Sequence, residues 1–436
     1  MDRATAIRWL SLYLPLVTAL LLAMLRPGGR RLWAACLVGI AWVTVSLLAL
    51  QTVNLRFGWW EFHAQGGLIR GVPVDLWLGW AVLWGAIPIL VFRRLGIIWV
   101  IAAFFALDLF LMPACQPIVM LRRVWWIGEI LALAFVLTPA LLFARWTWSD
   151  THLGARATLH VMMSGGLFLF VFPEIFFALR PGADWGPFLT EPGWTRNLEL
   201  QGIALLGLCG VSAVQEFGTR GGGTPIPYDP PKRLVASGFY RYIANPMQVS
   251  CSLVMMAWGG VLRDWRIALI GVMSLIYGLG VAAWDEGQDL ETRFGEPWLR
   301  YRKHVKAWRF RLTPWHDPDA PKARLYVAET CGPCSEVRRW FEAHHGVALE
   351  IVAAEDHPTR DLRRITYDAM DGSEPEEGVR AIARGFEHID LGWAYAGACL
   401  RLPGVSHFAQ LLMDASGFGP QEIARRGCAR EGTTRA

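Results

Sequence analysis

Leu234-Val235-Ala236-Ser237-Gly238-Phe239-Tyr240-Arg241-Tyr242-Ile243-Ala244-Asn245-Pro246-Met247 is a polar, aromatic approach to an apolar run, Met247 to Leu262. A second run, Trp265 to Trp284, empties into Asp285-Glu286-Gly287-Gln288-Asp289-Leu290-Glu291-Thr292-Arg293-Phe294-Gly295-Glu296-Pro297-Trp298-Leu299-Arg300-Tyr301. Asn245-Pro246 reads as a helix start, a capping residue followed by proline at the first helical position. Amide groups left free there, at the positive end of the helix dipole, suit a carboxylate. Further runs cover Ile7 to Leu25, Leu32 to Gln51, Leu76 to Phe92, Gly96 to Val119, Val124 to Phe143, Leu159 to Leu179 and Leu198 to Val214, each about long enough to cross a bilayer. The chain has 436 residues, 54% hydrophobic, with a mean hydropathy of +0.31. That composition excludes an ordinary soluble domain and predicts a polytopic α-helical membrane protein of about nine transmembrane helices.

The first run ends in Arg26-Pro27-Gly28-Gly29-Arg30-Arg31 without a small-residue cleavage site, so it reads as a retained helix. Loop Lys and Arg are nearly balanced between the two sides, and the basic segment Arg293 to Arg311 tips the balance towards a cytoplasmic C terminus. The net charge of +5 sits mainly beside the helices, where it suits an anionic lipid surface, and no nucleic-acid partner is expected. Of the eight cysteines, Cys331 and Cys334 form a close pair that a cytoplasmic setting makes catalytic or metal-binding rather than a structural disulfide.

Composition divides the chain into an N-terminal six-helix domain (1–196), a second membrane block (197–315) and a soluble tail (322–436), joined by His316-Asp317-Pro318-Asp319-Ala320-Pro321. Asp108, Glu129, His160 and Glu174 lie inside apolar runs, so each either lines a polar site or fixes packing by hydrogen bonds. Trp59-Trp60-Glu61-Phe62-His63 with Gly71-Val72-Pro73-Val74-Asp75 reads as an interfacial aromatic belt and a helix start after Pro73.

The ordered string from Gly223 to Pro314 resembles the membrane methyltransferases typified by isoprenylcysteine carboxyl methyltransferase and the bacterial phospholipid methyltransferases. In that family an Arg-His-Pro-x-Tyr element opens the penultimate helix, and a Glu-Glu pair precedes Leu-x-x-x-Phe-Gly-x-x-Tyr-x-x-Tyr. Here Ala244 stands for the Arg, Asn245 for the His, Gln248 for the Tyr, Gly287 for the second Glu and Trp298 for one Tyr. The resemblance implies S-adenosyl-L-methionine as cofactor, held by Tyr240, Asn245, Pro246, Glu286, Leu290, Phe294 and Tyr301. It implies methyl transfer to a lipid-soluble or thiol-bearing acceptor at a bacterial plasma membrane. Glu286 has a physical motive as well, because an acid at a helix C terminus is unfavourable without a cationic partner; Asp289, by contrast, can pair with Arg293 one turn on.

In the tail, Ala323 to Ala328 reads as a strand, and Cys331-Gly332-Pro333-Cys334 leads into a helix from Ser335 to His345. Leu349 to Ala353 and Ile365 to Tyr367 read as strands and Val379 to Ile389 as a helix. This order is similar to a thioredoxin fold and to the thiol-disulfide oxidoreductases carrying the DCC signature. At a helix N terminus Cys331 would be the attacking thiolate and Cys334 the resolving thiol. The expectation is a membrane methyltransferase with an attached thiol-redox domain. Alternatives are a membrane-tethered thiol-disulfide oxidoreductase whose second block is an anchor or lipid-binding scaffold, and a binding protein without chemistry.

Overall fold

The computed structural model describes residues 2–25, 28–225, 229–423, 425 and 426; the side chains of 281–286 and 418 lie outside that description. Among the described residues seven helices are long and apolar enough to cross a membrane: α1 (Arg3–Leu25), α2 (Gly29–Phe57), α3 (Val74–Phe92), α4 (Ile97–Ala114), α5 (Trp125–Ser149), α6 (Leu153–Ala178) and α7 (Gly193–Gly221). The protein is a helical membrane protein.

The eighth expected span is the shorter α8 (Pro246–Val261), 16 residues, and at ~1.5 Å per residue it falls short of the ~30 Å hydrocarbon core. Proline fixes its start, and Arg263, with φ of 53° in the left-handed region, turns the chain after it. The ninth begins as α9 (Trp265–Tyr277) and stays helical through a wider turn, Gly278–Ala282, into α10 (Ala283–Phe294). Its apolar stretch is Trp265–Gly280, so seven helices rather than nine meet the length requirement.

Two compact units emerge from the packing. The first comprises Met1–Arg196, Gly222–Pro231 and Trp258–Leu269; the second comprises Asn197–Gly221, Lys232–Ala257 and Ile270–Ala436.

In the first unit α3 packs against α1 and α2, and α2 against α5. Glycines permit the close crossings, since a Cβ on Gly79 would strike the Ser11 carbonyl and one on Gly39 the Gly85 carbonyl. Strand β1 (Trp60–Phe62) pairs antiparallel with β2 (Val119–Leu121). The helix start after Pro73 is present, but Trp59 and Trp60 are buried rather than spread in a belt. Asn54 turns them inward, its Oδ1 accepting the N–H groups of Trp59 at 2.8 Å and Trp60 at 3.1 Å. Gly128 leaves room for both rings.

In the second unit α11 (Glu296–His304) follows α10. The tail holds β3 (Ala323–Val327), α12 (Gly332–His344), β4 (Leu349–Ala353), β5 (Thr366–Asp368), β6 (Glu376–Glu377), α13 (Val379–Phe386), α14 (Leu391–Arg401) and α15 (Pro403–Met413). Its sheet runs β4-β3-β5-β6, with β3 and β4 parallel and the other pairs antiparallel. The helix α12 makes the crossover that a parallel pair requires. Each predicted strand and helix of the tail is present within a few residues of its expected bounds, and α14 and α15 add to them.

The tail shares a core with the membrane block. Cys209, Phe239 and Tyr242 pack with Ala394, Ala398 and Tyr395, Phe239 meeting Tyr395 edge-on at 4.7 Å. The Tyr242 hydroxyl donates to the Glu387 carbonyl at 2.9 Å, and Leu391 N–H donates to the Leu312 carbonyl at 2.9 Å.

Candidate functional site

The segment before α8 is held by the chain that follows α11. Ala244 N–H donates to the Lys306 carbonyl (3.0 Å), Arg311 N–H to Tyr242 (3.0 Å) and Trp315 N–H to Arg241 (2.9 Å). Across this pairing Ala244, Trp298, Tyr301 and Trp315 form an apolar cluster with Leu290 and Phe294 against it. The buried Tyr301 hydroxyl donates to the Tyr240 carbonyl at 2.8 Å, joining residues 61 positions apart. Burial raises the Tyr301 hydroxyl far above the usual tyrosine range, so it stays a neutral donor. Four expected cofactor residues, Tyr240, Leu290, Phe294 and Tyr301, are thus drawn to one place, with Asn245 and Pro246 following Ala244. The side chain of Glu286 lies outside the described residues. Asp289 takes the pairing expected of it, receiving Arg293 Nη1 at 3.0 Å.

At the start of α8 the Asn245 amide donates to Gln248 Oε1 at 3.3 Å. Gln248 Oε1 lies 3.1 Å from where a Cβ on Gly278 would stand, and such a Cβ would strike the Trp308 ring. Trp308 Nε1 is buried beside this glycine and has no acceptor among the described residues. Asn245, Gln248, Gly278 and Trp308 therefore make a small polar cradle in which the glycine makes way for the Trp308 ring.

Beyond the aromatic cluster lies a cavity of about 880 Å³ lined by Leu234, Ala236, Ser237, Arg241, Trp315, His316 and Tyr367, among others. None of the six expected cofactor residues with a described side chain lines it. Trp315 belongs both to its wall and to the cluster, meeting Tyr301 edge-on at 5.3 Å. Beside the cavity runs a closed ion network. Glu216 bonds Arg384 at 2.7 Å and also Arg401, and Glu387 binds the same two arginines. The Ser237 hydroxyl donates to Glu216 at 2.6 Å. Burial alone would lower Arg384, but Glu216, Glu387 and Glu376 hold its guanidinium well above the usual range.

Cys331 and Cys334 stand elsewhere. Cys331 occupies the N-terminal cap of α12, and the two sulfurs are 2.6 Å apart. Burial, reinforced by Cys331 and by Glu355, pushes the Cys334 thiol up to about 12. Glu355 sits beneath the loop, its carboxylate accepting the N–H groups of Glu329 (3.1 Å) and Thr330 (3.1 Å) and the Thr330 hydroxyl (2.9 Å). Ala323, at the start of β3, lines the cavity, whereas Cys331 follows its other end; four steps of ~3.3 Å set the two ends of the strand roughly 13 Å apart. The pair opens instead on a shallow recess with Arg364, Ile365 and Met413.

No family model, curated protein or solved structure matches the chain. The two resemblances rest on the residues quoted for them.

Of the ionisable residues in the first unit, His160 and Glu174 have packing partners. His160 Nδ1 lies 2.7 Å from the Arg156 carbonyl; Glu174 binds Arg70 and accepts Trp185 Nε1 at 2.6 Å. Asp108 and Glu129 face each other beside Trp84, and Glu129 lines a cavity of about 80 Å³ walled by Trp60, Trp77, Trp80 and Trp84. Sequence reading passed over Arg241, Glu216, Trp308, Glu355, Arg384, Glu387 and Arg401. An acid inside the apolar α7 was a usable signal for Glu216; the rest depend on contacts between distant segments.

Proposed function

We propose that the protein is an integral membrane methyltransferase that uses S-adenosyl-L-methionine on a lipid-soluble acceptor and carries a thiol-redox tail. The observation that supports it best is the hydrogen bond from Tyr301 to Tyr240, which ties the two separated halves of the methyltransferase-like string around the start of α8. The cofactor would supply an electrophilic methyl group on a sulfonium. The cradle fits such a ligand, because Trp308 Nε1 is a buried donor without an acceptor among the described residues and the positive end of the α8 dipole favours a carboxylate. Asn245 and Gln248 would orient the donor at the cradle, and Gly278 lets the Trp308 ring stand beside them. Tyr301 and Tyr240, bonded to each other, act as scaffold. Methyl transfer to an ionised acceptor asks for alignment and exclusion of water rather than acid or base, which an aromatic wall of Phe294, Trp298 and Trp315 supplies. Titration of the purified chain with S-adenosyl-L-methionine tests the reading; saturable binding that Gly278→Leu abolishes is expected, and no binding by the wild-type chain rejects it.

A second reading, a membrane-tethered thiol-disulfide oxidoreductase, is favoured by the cysteine pair. Two sulfurs 2.6 Å apart at a helix N terminus, beside a parallel strand pair, support that reading, since such a position favours a thiolate. The high Cys334 thiol leaves Cys331 to attack. Cys334→Ser should then trap a mixed disulfide through Cys331, and Cys331→Ser should trap none. Equal trapping by both variants rejects the assignment.

A further inference from the structure

Four arginines are buried among the described residues: Arg156, Arg241, Arg384 and Arg401. Three bridge carboxylates. Arg241 bridges none among the described residues, and it lines the 880 Å³ cavity with its buried Nε unpartnered there. His388 Nδ1 lies 3.5 Å from its Nη1. That nitrogen lies 2.8 Å from the Val347 carbonyl, and the other ring nitrogen lies 2.9 Å from the Tyr367 hydroxyl. The tautomer that satisfies both places the proton on Nδ1, donates it to Val347 and accepts the Tyr367 O–H at Nε2. No lone pair then remains for Arg241. Burial, followed by the nearby Arg241 charge, keeps His388 well below its ordinary value, consistent with that neutral ring. A guanidinium offers five donors in a planar fork and cannot shed its charge, so a buried one without an acceptor calls for an anion.

Arg233 and Arg380 line the same cavity, exposed and without a carboxylate partner among the described residues. Five acids also line the cavity, but Asp317, Asp371, Glu376 and Glu377 pair with Arg300, Arg220, Arg384 and Arg360, leaving Glu374 alone against Arg241, Arg233 and Arg380; three guanidinium groups suit a phosphate better than a singly charged carboxylate. We propose that this cavity binds a phosphate group, seated on Arg241 with Arg233 and Arg380 at its rim. Assigning that phosphate to the methyl acceptor rests on the methyl-transfer reading; phosphate binding itself does not.

The test uses the full chain in detergent and in phosphatidylcholine nanodiscs. Calorimetric titration with glycerol 3-phosphate should show saturable binding, weakened at least tenfold by Arg241→Gln and less by Arg241→Lys, with S-adenosyl-L-methionine affinity equal in all three proteins. Phosphatidic acid in the nanodiscs should compete if the phosphate belongs to a lipid headgroup; absence of competition, with glycerol 3-phosphate still bound, assigns it to a soluble phosphomonoester. A wild-type readout needs no variant to fold: phenylglyoxal modification of Arg241, followed by peptide mass spectrometry, should slow when glycerol 3-phosphate is present. Unslowed modification overturns the proposal, as does equal glycerol 3-phosphate affinity in a folded Arg241→Gln protein, or acetate binding as tight as the phosphomonoester. Loss of S-adenosyl-L-methionine binding in Arg241→Gln with phosphate binding kept would move Arg241 to the donor and also overturn it. Failure of the wild-type chain to bind S-adenosyl-L-methionine, with phosphate binding intact, would reject the methyl-transfer reading alone.

Discussion

Glu216 in the second unit and Asp108 in the first are both wholly buried acids on apolar helices, yet they keep opposite company. Glu216 meets Arg384, Arg401 and Arg220, and the first two also meet Glu387, so every acid in the network has an arginine partner. Asp108 stands beside Glu129 and Trp84, and no salt bridge reaches it among the described residues. A balanced network gains its stability from completeness and loses heavily when one member goes, because the partners are left charged and dry. A pair of acids without a cation has no such partners to strand. The first arrangement is architecture, joining α7 to the tail; the second, beside a tryptophan-walled cavity, has the cost that marks a functional position.

Removing the Glu216 carboxylate is the strongest way to break this contrast. Glu216→Ala should destabilise the second unit by about 3 to 5 kcal/mol, as deletion of one partner from a buried ion pair does. Hydrogen exchange across α14 should rise with it, and unchanged exchange would mean the network does not hold the tail. Glu355 offers an intermediate case, a buried acid balanced by N–H groups rather than by arginine. Glu355→Ala should cost about 1 to 3 kcal/mol in thermal unfolding through the donors it strands.

The same residue carries a pH signature. Burial alone would raise the Glu355 carboxyl, but the hydrogen bonds from Glu329 and Thr330 hold it below the ordinary glutamate value. A folded value below the unfolded one gives stabilisation that is complete above the ordinary range and is lost as pH falls through the folded value. Wild-type stability should therefore decline more steeply on the acid side than that of Glu355→Gln; parallel acid curves would show that these bonds contribute nothing. The smallest effect is expected at Asp108→Asn, within about 1 kcal/mol, since no cation loses its partner. A loss there as large as that of Glu216→Ala would reveal a compensating charge and erase the distinction.

The membrane class was legible because hydropathy is local: runs of apolar residues mark α1 to α7 without knowledge of their neighbours. The tail was legible for a similar reason, alternation and helical spacing placing β3, α12, β4 and α13. Length was harder to read at α8, where Pro246 and the turn at Arg263 leave a helix too short to span. The belt expected around Trp59 and Trp60 failed because a single side chain, Asn54, redirects the backbone, and composition carries no record of direction. Candidate site residues divide in the same way. Motif positions such as Tyr240 and Tyr301 could be named in advance, but Arg241 acquires its meaning only from what is missing around it, and Arg401 only from an acid on another segment.

The polar joint at 316–321 looks in the sequence like a place to cut. The packing runs straight across it: Cys209, Phe239 and Tyr242 share their interior with Ala394, Ala398 and Tyr395. A gene divided there would encode two fragments, each carrying half of a core and presenting it raw to water, the membrane piece with a naked Tyr242 and the tail with a naked Tyr395. Inheritance and engineering face the same constraint: swapping the tail for another means rewriting the surface of α7 and the approach to α8, and 197–436 travels as one piece.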